Sequence, residues 1–425
     1  MTFAERYIQK YHFMMPQIKE PPSGLLRFMV VIPAYLEDSI TNTLESLKLA
    51  DQPGGDVEVI IVVNFSEDDS QENKNKNLKI FNSLQLWELN NSSTKFKYHS
   101  ILADNLPEKH AGAGLARKIG MDEAIHRFNL IKKPEGLILS LDADTKVEYN
   151  YFTAVEKIMC THNNFGGCIL QFAHDLEGQE YNEHIYKAIT DYELHLRYYK
   201  HILEYSGFPY SNYTIGSCFG IRADVYTSQG GMNRRQAGED FYFLNKVFPN
   251  RAFAEVRETC VFLSPRPSKR VPFGTGPVVA RLSEKEEEFY YTYTGEAFFD
   301  LEQMFRSVND LYDLSANALK LLITDWPEAL REFLIDHKFY EKLMEIKKNT
   351  SSSESFRKRF FTWFNGFKVV KYMNYAHKKY YKKVPVKQAA ITFLNKTGYP
   401  YYDDDARSLL ELFRKLDKEG KKLIN

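Results

Sequence analysis

The sequence predicts an α/β fold, a mostly parallel sheet with helices on both faces, followed by an α-helical C-terminal region. Three observations carry this reading. Apolar runs of strand length recur in the first third, FMVVI, VEVIIVV and LILSL. Each is followed by a stretch of helical character, and continuous apolar strands alternating with helices belong to parallel sheets covered on both faces. From about Ser283 onward strand signals give way to helical ones, beginning with SEKEEEFYYTYTGEAFFDLEQMFRSVNDLYDL.

Element by element, a strand is expected at Phe28 to Ile32 and a helix at Thr41 to Leu49. VEVIIVVN forms a second strand ending at Asn64, and the polar loop FSEDDSQENKNKN leads into another helix. A third strand lies near Tyr98 to Ala103, and the loop from Asn105 to Gly114 opens the helix LARKIGMDEAIHRF. LILSL is the fourth strand. Beyond Glu148 come a helix near Tyr151 to Met159, a strand at Cys168 to Phe172, and a long helix from about Asn182 to Glu204. SPRPSKRVPFGTGP, with four prolines and two glycines, must be a loop. The expected division is an N-terminal arm at 1–24, an α/β domain at 25–272 and a helical domain at 273–425.

Composition narrows the function. Lys plus Arg and Asp plus Glu both number 56 among 425 residues, so no global field points to nucleic acid. The four cysteines, Cys160, Cys168, Cys218 and Cys260, show no CxxC spacing and suit a reducing compartment, so a cytoplasmic protein is expected. No apolar run approaches the roughly 20 residues that cross a bilayer.

The chemistry concentrates where LILSL runs into Asp142 and Asp144. Ligands of open α/β sheets sit beyond the carboxyl ends of the strands, and residues i and i+2 of an extended segment face the same side. Two carboxylates so placed suit Mg²⁺ or Mn²⁺ shared with a diphosphate; the competing reading is a strand-end turn capped by Asp. HAGAGLARK sets Gly112 and Gly114 before a helix carrying Arg117 and Lys118, an arrangement for an anion or simply a loop entering a helix. AGEDFYFLNKV opens a helix with Glu239 and Asp240, where a carboxylate could act as general base or favour the helix start.

In order and spacing these motifs resemble the family 2 glycosyltransferases, inverting enzymes of the Rossmann-like GT-A fold, over roughly residues 27–250. The resemblance implies a nucleotide pocket bordered by Pro33, Ala34, Tyr35 and Glu37, with Asn64 at the base, where the family usually has Asp. It implies that Gly114 and Arg117 approach the donor diphosphate. Asp142 would lie near ribose and metal, Asp144 would ligate Mn²⁺ or Mg²⁺, and Asp240 would be the base beside Glu239. The donor implied is a nucleotide-sugar, UDP-sugar first and GDP-sugar second, and the acceptor a glycan, lipid-linked or small-molecule hydroxyl. The family's QxxRW motif and the late metal-binding His of many GT-A enzymes are both missing. Arg266, Lys269 and Arg270 would cover the donor phosphates as a lid, or form a solvated loop. A non-catalytic glycosyltransferase-like module, or a sugar nucleotidyltransferase, is the alternative.

The segment 356–383 holds nine Lys/Arg and no acid. Phe360, Trp363, Phe364 and Phe367 form a helical stripe that would either lie on an anionic membrane at the inner face or pack into its own domain.

Overall fold

A computed structural model of the protein describes residues 2–268, 270, 274–284 and 289–423. The chain forms two compact units, one from 1–175 and 214–277, the other from 176–213 and 278–425. Lys269 and the expected boundary at 272/273 lie outside the described residues.

The first unit is a sheet domain. After α1 (Glu5–Tyr11) come β1 (Leu26–Ala34), α2 (Ile40–Lys48), β2 (Asp56–Ser66), α3 (Gln71–Asn91), β3 (Phe96–Leu106), α4 (Ala113–Leu130) and β4 (Leu137–Ser140). The sheet runs β3-β2-β1-β4, all parallel. Every residue of β2 is buried, which explains its unbroken VEVIIVV run and lack of alternation. Pro33, which has no N–H to give a ladder, lies beyond the stretch Phe28–Val31 that pairs with β4. At Gly120, α4 comes so close to β1 that an added Cβ would stand 2.5 Å from Val31 Cγ1.

The sheet continues through β5 (Lys146–Val147), α5 (Tyr151–Thr161) and β6 (Phe165–His174), to the order β4-β7-β6-β8-β5. Here β7 is Phe219–Arg222 and β8 is Ala252–Leu263. β7 runs antiparallel to both β4 and β6, whereas β6 and β8 are parallel. Neither β7 nor β8 was expected. FGIR is four residues long, and β8 alternates buried and half-exposed positions instead of forming an apolar run. The two are bordered by α7 (Ala223–Ser228) and α8 (Glu239–Val247).

Between β6 and β7 the chain leaves the sheet domain. The helix α6 (Glu183–Tyr205) was expected within 25–272, but residues 176–213 belong to the helical unit. The cause is its burial pattern: Leu194, Tyr198 and Ile202 share one apolar core with Phe298, Leu301, Phe360 and Phe413. Its charged residues are buried in that unit too. Asp417 accepts hydrogen bonds from Arg197 (2.5 Å), Tyr213 (2.7 Å) and the His201 ring (3.0 Å). Glu193 takes Arg197 at 2.8 Å and Arg414 at 2.6 Å. Such a network holds only while complete, because one lost partner strands a charge in a low dielectric.

The aromatic stripe of 356–383 faces this same core. Phe360 and Phe364 are fully buried, and Trp363 packs against the cluster. Among the described residues no helix is long and apolar enough to cross a membrane.

Candidate functional site

The site forms where the parallel strands end in the sheet domain. After β4 the chain makes a tight turn: Leu141 N–H still donates to Val31 C=O (3.1 Å), and Thr145 Oγ1 closes on Asp142 C=O (2.8 Å). Thr43 of α2 fastens the turn from outside by donating to Ala143 C=O at 2.9 Å. The Asp turn and the carboxylate pair are therefore one structure, and both aspartate side chains retain access to solvent.

Arg117, in the first turns of α4, is the centre of the site. Its guanidinium donates to Glu239 and to Asp142, and it is only 2% exposed. Asp142 receives a second bond from Ser217 Oγ at 2.5 Å. Asp240 accepts from Phe241 N–H at 2.7 Å and from the Gly216 backbone. Gly216 cannot carry a side chain without crowding, since a Cβ there would stand 2.8 Å from Arg117 Nη2 and 3.1 Å from Asp240 Oδ2. Arg117 thus joins the turn after β4 to the start of α8, residues 122 apart in the case of Glu239.

Burial drives the electrostatics. Desolvation pushes Glu239 up to about 7 against the pull of Arg117, and Asp240 is raised for the same reason. Asp144 is pushed up to about 6 by burial, with Asp142 and Glu37 adding to the rise. A fully charged carboxylate is disfavoured at each position until a cation or a proton arrives.

The glycines before α4 serve packing. Gly112 has φ +148°, in the region that favours glycine, and a Cβ at Gly114 would stand 2.1 Å from Arg235 C=O. The backbone of residues 235 and 236 therefore lies over the N-terminus of α4, and Gln236 Nε2 bonds Glu108 C=O at 2.6 Å. Gly114 is where the loop leading to Glu239 meets the helix bearing Arg117.

A second edge of the site lies after β1. Glu37 is buried and receives Arg266 Nη2 at 2.7 Å and Arg270 Nη1 at 2.5 Å. Arg266 also reaches Asp144 at 3.1 Å, and Arg270 reaches Tyr35 C=O at 2.6 Å. Tyr35 OH donates to Asp69, which also accepts Ser66 N–H. Asn64 is buried and donates its amide to Ala34 C=O at 3.0 Å, which fixes its Oδ1 as the acceptor end.

Asp142 and Asp144 are the hard oxygen ligands that could hold a divalent cation here. Among the described residues no three His, Cys, Asp or Glu side chains are arranged around one point. The pair fits Mg²⁺ or Mn²⁺ that completes its shell with phosphate oxygens and water, and does not fit a cation caged by protein alone.

Residues 29–228 match the family model described as Glycosyl transferase family 2. The chain carries a family 2 glycosyltransferase domain. No curated protein matches the chain. Among solved structures, S. aureus TarS 1-349 in complex with UDP-GlcNAc aligns at 14% identity and TM-score 0.41, covering 78% of this chain and 90% of that one. TarS 1-349 in complex with UDP aligns at 14% identity and TM-score 0.40, covering 78% and 89%. GalNAc-T7 with UDP, GalNAc and Mn2+ aligns at 13% and TM-score 0.37, covering 79% and 56%.

In this glycosyltransferase domain the structure brings Arg117, Asp142, Glu239 and Asp240 into one cluster, and Glu37, Asp144 and Arg266 into an adjoining one. Pro33, Ala34, Tyr35 and Asn64 lie along the ends of β1 and β2. Sequence reasoning passed over Gly216 and Ser217. The signal was present in YTIGSCFG, a small-residue stretch directly ahead of a strand, but nothing in the sequence tied it to Asp142.

Proposed function

We propose that the domain transfers a sugar from a nucleotide-sugar donor, UDP-sugar in first place, to an acceptor hydroxyl by direct displacement with inversion. The observation that carries the proposal is the convergence of Asp142, Glu239 and Asp240 on the buried Arg117. Asp142 and Asp144 would hold a divalent cation, which when bound would neutralise charge on the departing diphosphate. Arg266, which pairs with Glu37 and Asp144, and Arg270, which pairs with Glu37, lie beside these carboxylates and would supply positive charge to the donor phosphates. Asn64 Oδ1 accepts an imide N–H of the base.

Asp240 removes the acceptor proton. Its carboxylate is held by the Gly216 and Phe241 amides, and burial raises its affinity for that proton. The acceptor oxygen bonds to the anomeric carbon as the bond from that carbon to the diphosphate oxygen breaks, and the proton resides on Asp240. Arg117 stays beneath, holding Asp142 and Glu239 so that donor and acceptor sides keep their spacing.

The test pairs two measurements. Titration calorimetry with UDP and with GDP, with and without Mn²⁺, reads the donor site in the wild type and in Asp144→Ala. Turnover of a UDP-sugar panel reads chemistry in Asp240→Asn. Mn²⁺-dependent UDP binding that Asp144→Ala loses, with binding retained but turnover down about 10²–10⁴-fold in Asp240→Asn, supports the proposal. A folded protein that binds neither nucleotide points instead to a non-catalytic module.

A further inference from the structure

The segment from Arg357 to Lys383 divides into two faces. Its apolar residues Phe360 and Phe361 on the helix Ser353–Trp363, Phe364 just past its end, and Val369, Tyr372 and Met373 on the helix Gly366–Lys379 are fully buried in their own core. Its cations point the other way. Lys358, Arg359, Lys371, Lys378, Lys382 and Lys383 are exposed. Of the nine Lys/Arg in the segment only Lys379, which meets Glu332, has an ion pair among the described residues. A chain with no net charge has therefore gathered unpaired positive charge on one short segment.

This crowding carries a cost within the fold. Lys368 is held below the usual lysine range by burial and by its neighbours Lys371 and Lys342, the latter from another helix. Like charges without counter-charges repel, and an anionic partner relieves that repulsion. Aromatic rings stand among the cations: Lys368 lies over Trp363 (4.9 Å) and Lys379 over Tyr380 (5.1 Å), and both rings are partly exposed. Lysines interleaved with partly exposed Trp and Tyr suit the headgroup layer of a bilayer.

We propose that the basic face of residues 357–383 docks the protein on the surface of an anionic phospholipid bilayer. Because Phe360, Phe361 and Phe364 are committed to the core, none of these rings enters the hydrocarbon. The contact is electrostatic, reversible and abolished by salt.

The full chain is co-sedimented with vesicles of pure phosphatidylcholine and of an equimolar phosphatidylcholine–phosphatidylglycerol mixture. Binding is expected to the second only. Each neutralised cation should lower the partition coefficient about fivefold, so Lys371→Gln/Lys378→Gln/Lys382→Gln lowers it by about two orders of magnitude. Lys415→Gln/Lys418→Gln removes exposed charge from another helix and should change it little. All variants alter only exposed side chains, and a thermal melt verifies their folding. Equal binding to both vesicles, equal loss in the two variants, or capture of soluble polyphosphate without vesicle binding would each overturn the proposal.

Discussion

Replacing Arg117 by Met tests the account of the site most severely. The guanidinium is 2% exposed and compensates Glu239, whose side chain is 5% exposed, and Asp142, whose side chain is 40% exposed. Removing one partner of a buried pair leaves the other charge uncompensated, at about 3–5 kcal/mol. The Asp142 contact is screened by solvent and adds at most about 1 kcal/mol. Protonation of Glu239 offsets part of the loss, so about 3 kcal/mol is expected near neutral pH, where its pKa is already pushed up to about 7. Hydrogen exchange of the β1 and β2 amides reads this within the sheet domain, with protection falling by about two orders of magnitude, since each 1.4 kcal/mol is tenfold. Adding Glu239→Gln removes the stranded charge and should restore at least half of the protection. If Arg117→Met alone costs less than about 1 kcal/mol, or the second substitution gives no recovery, Arg117 is not compensating Glu239 and the reasoning fails.

Three further outcomes follow from the same geometry. Asn64→Asp sets a carboxylate against Ala34 C=O in place of a donor, and should destabilise the sheet domain by about 1–3 kcal/mol in urea unfolding. Gly114→Ala drives a methyl into Arg235 C=O and against Glu239 Cβ, so the loop before α8 must shift; sugar transfer should fall at least tenfold, whereas the melting temperature changes little. The third concerns pH. Glu239, Asp144 and Asp240 bind protons more tightly folded than unfolded, so the native state holds more protons between about pH 4.5 and 7 and stability falls as pH rises through that window. That slope is the reverse of the one a salt-bridged, lowered carboxylate gives. Urea midpoints measured across the window should show it, and Glu239→Gln should flatten it.

Much of this was legible in the sequence, for reasons that can be named. β1, β2 and β4 are buried on both faces, and their apolar runs declare it directly. The motifs at Asp142, Asp144, Glu239 and Asp240 are local, each an element end read from a few residues. β8 was missed because half of its positions lie toward solvent, so its charges masked an alternation that is visible in AFAEVRETCVFL once sought. The hub at Arg117 was unreadable because its partners come from distant loops. The packing role of Gly114 was unreadable too, since close approach of a backbone and close approach of a ligand require the same residue. The membership of α6 was hidden by chain order, because a helix does not announce which of two cores it will join.

That membership bears on how the protein is made. Glu193 leaves the ribosome 221 residues before Arg414, and Arg197 leaves 220 before Asp417. At translation rates of roughly 5–20 residues per second, α6 waits about 10–40 s for the counter-charges that let it be buried. When it emerges it interrupts a sheet whose β7 and β8 are still to come. The helical unit can be completed only after the whole sheet domain, which ends at 277, has left the ribosome, and a chain stopped short of residue 406 would leave α6 without Arg414 and Asp417, partners of its buried Glu193, Arg197 and His201. Such truncated products should be marked for degradation, however intact their glycosyltransferase motifs.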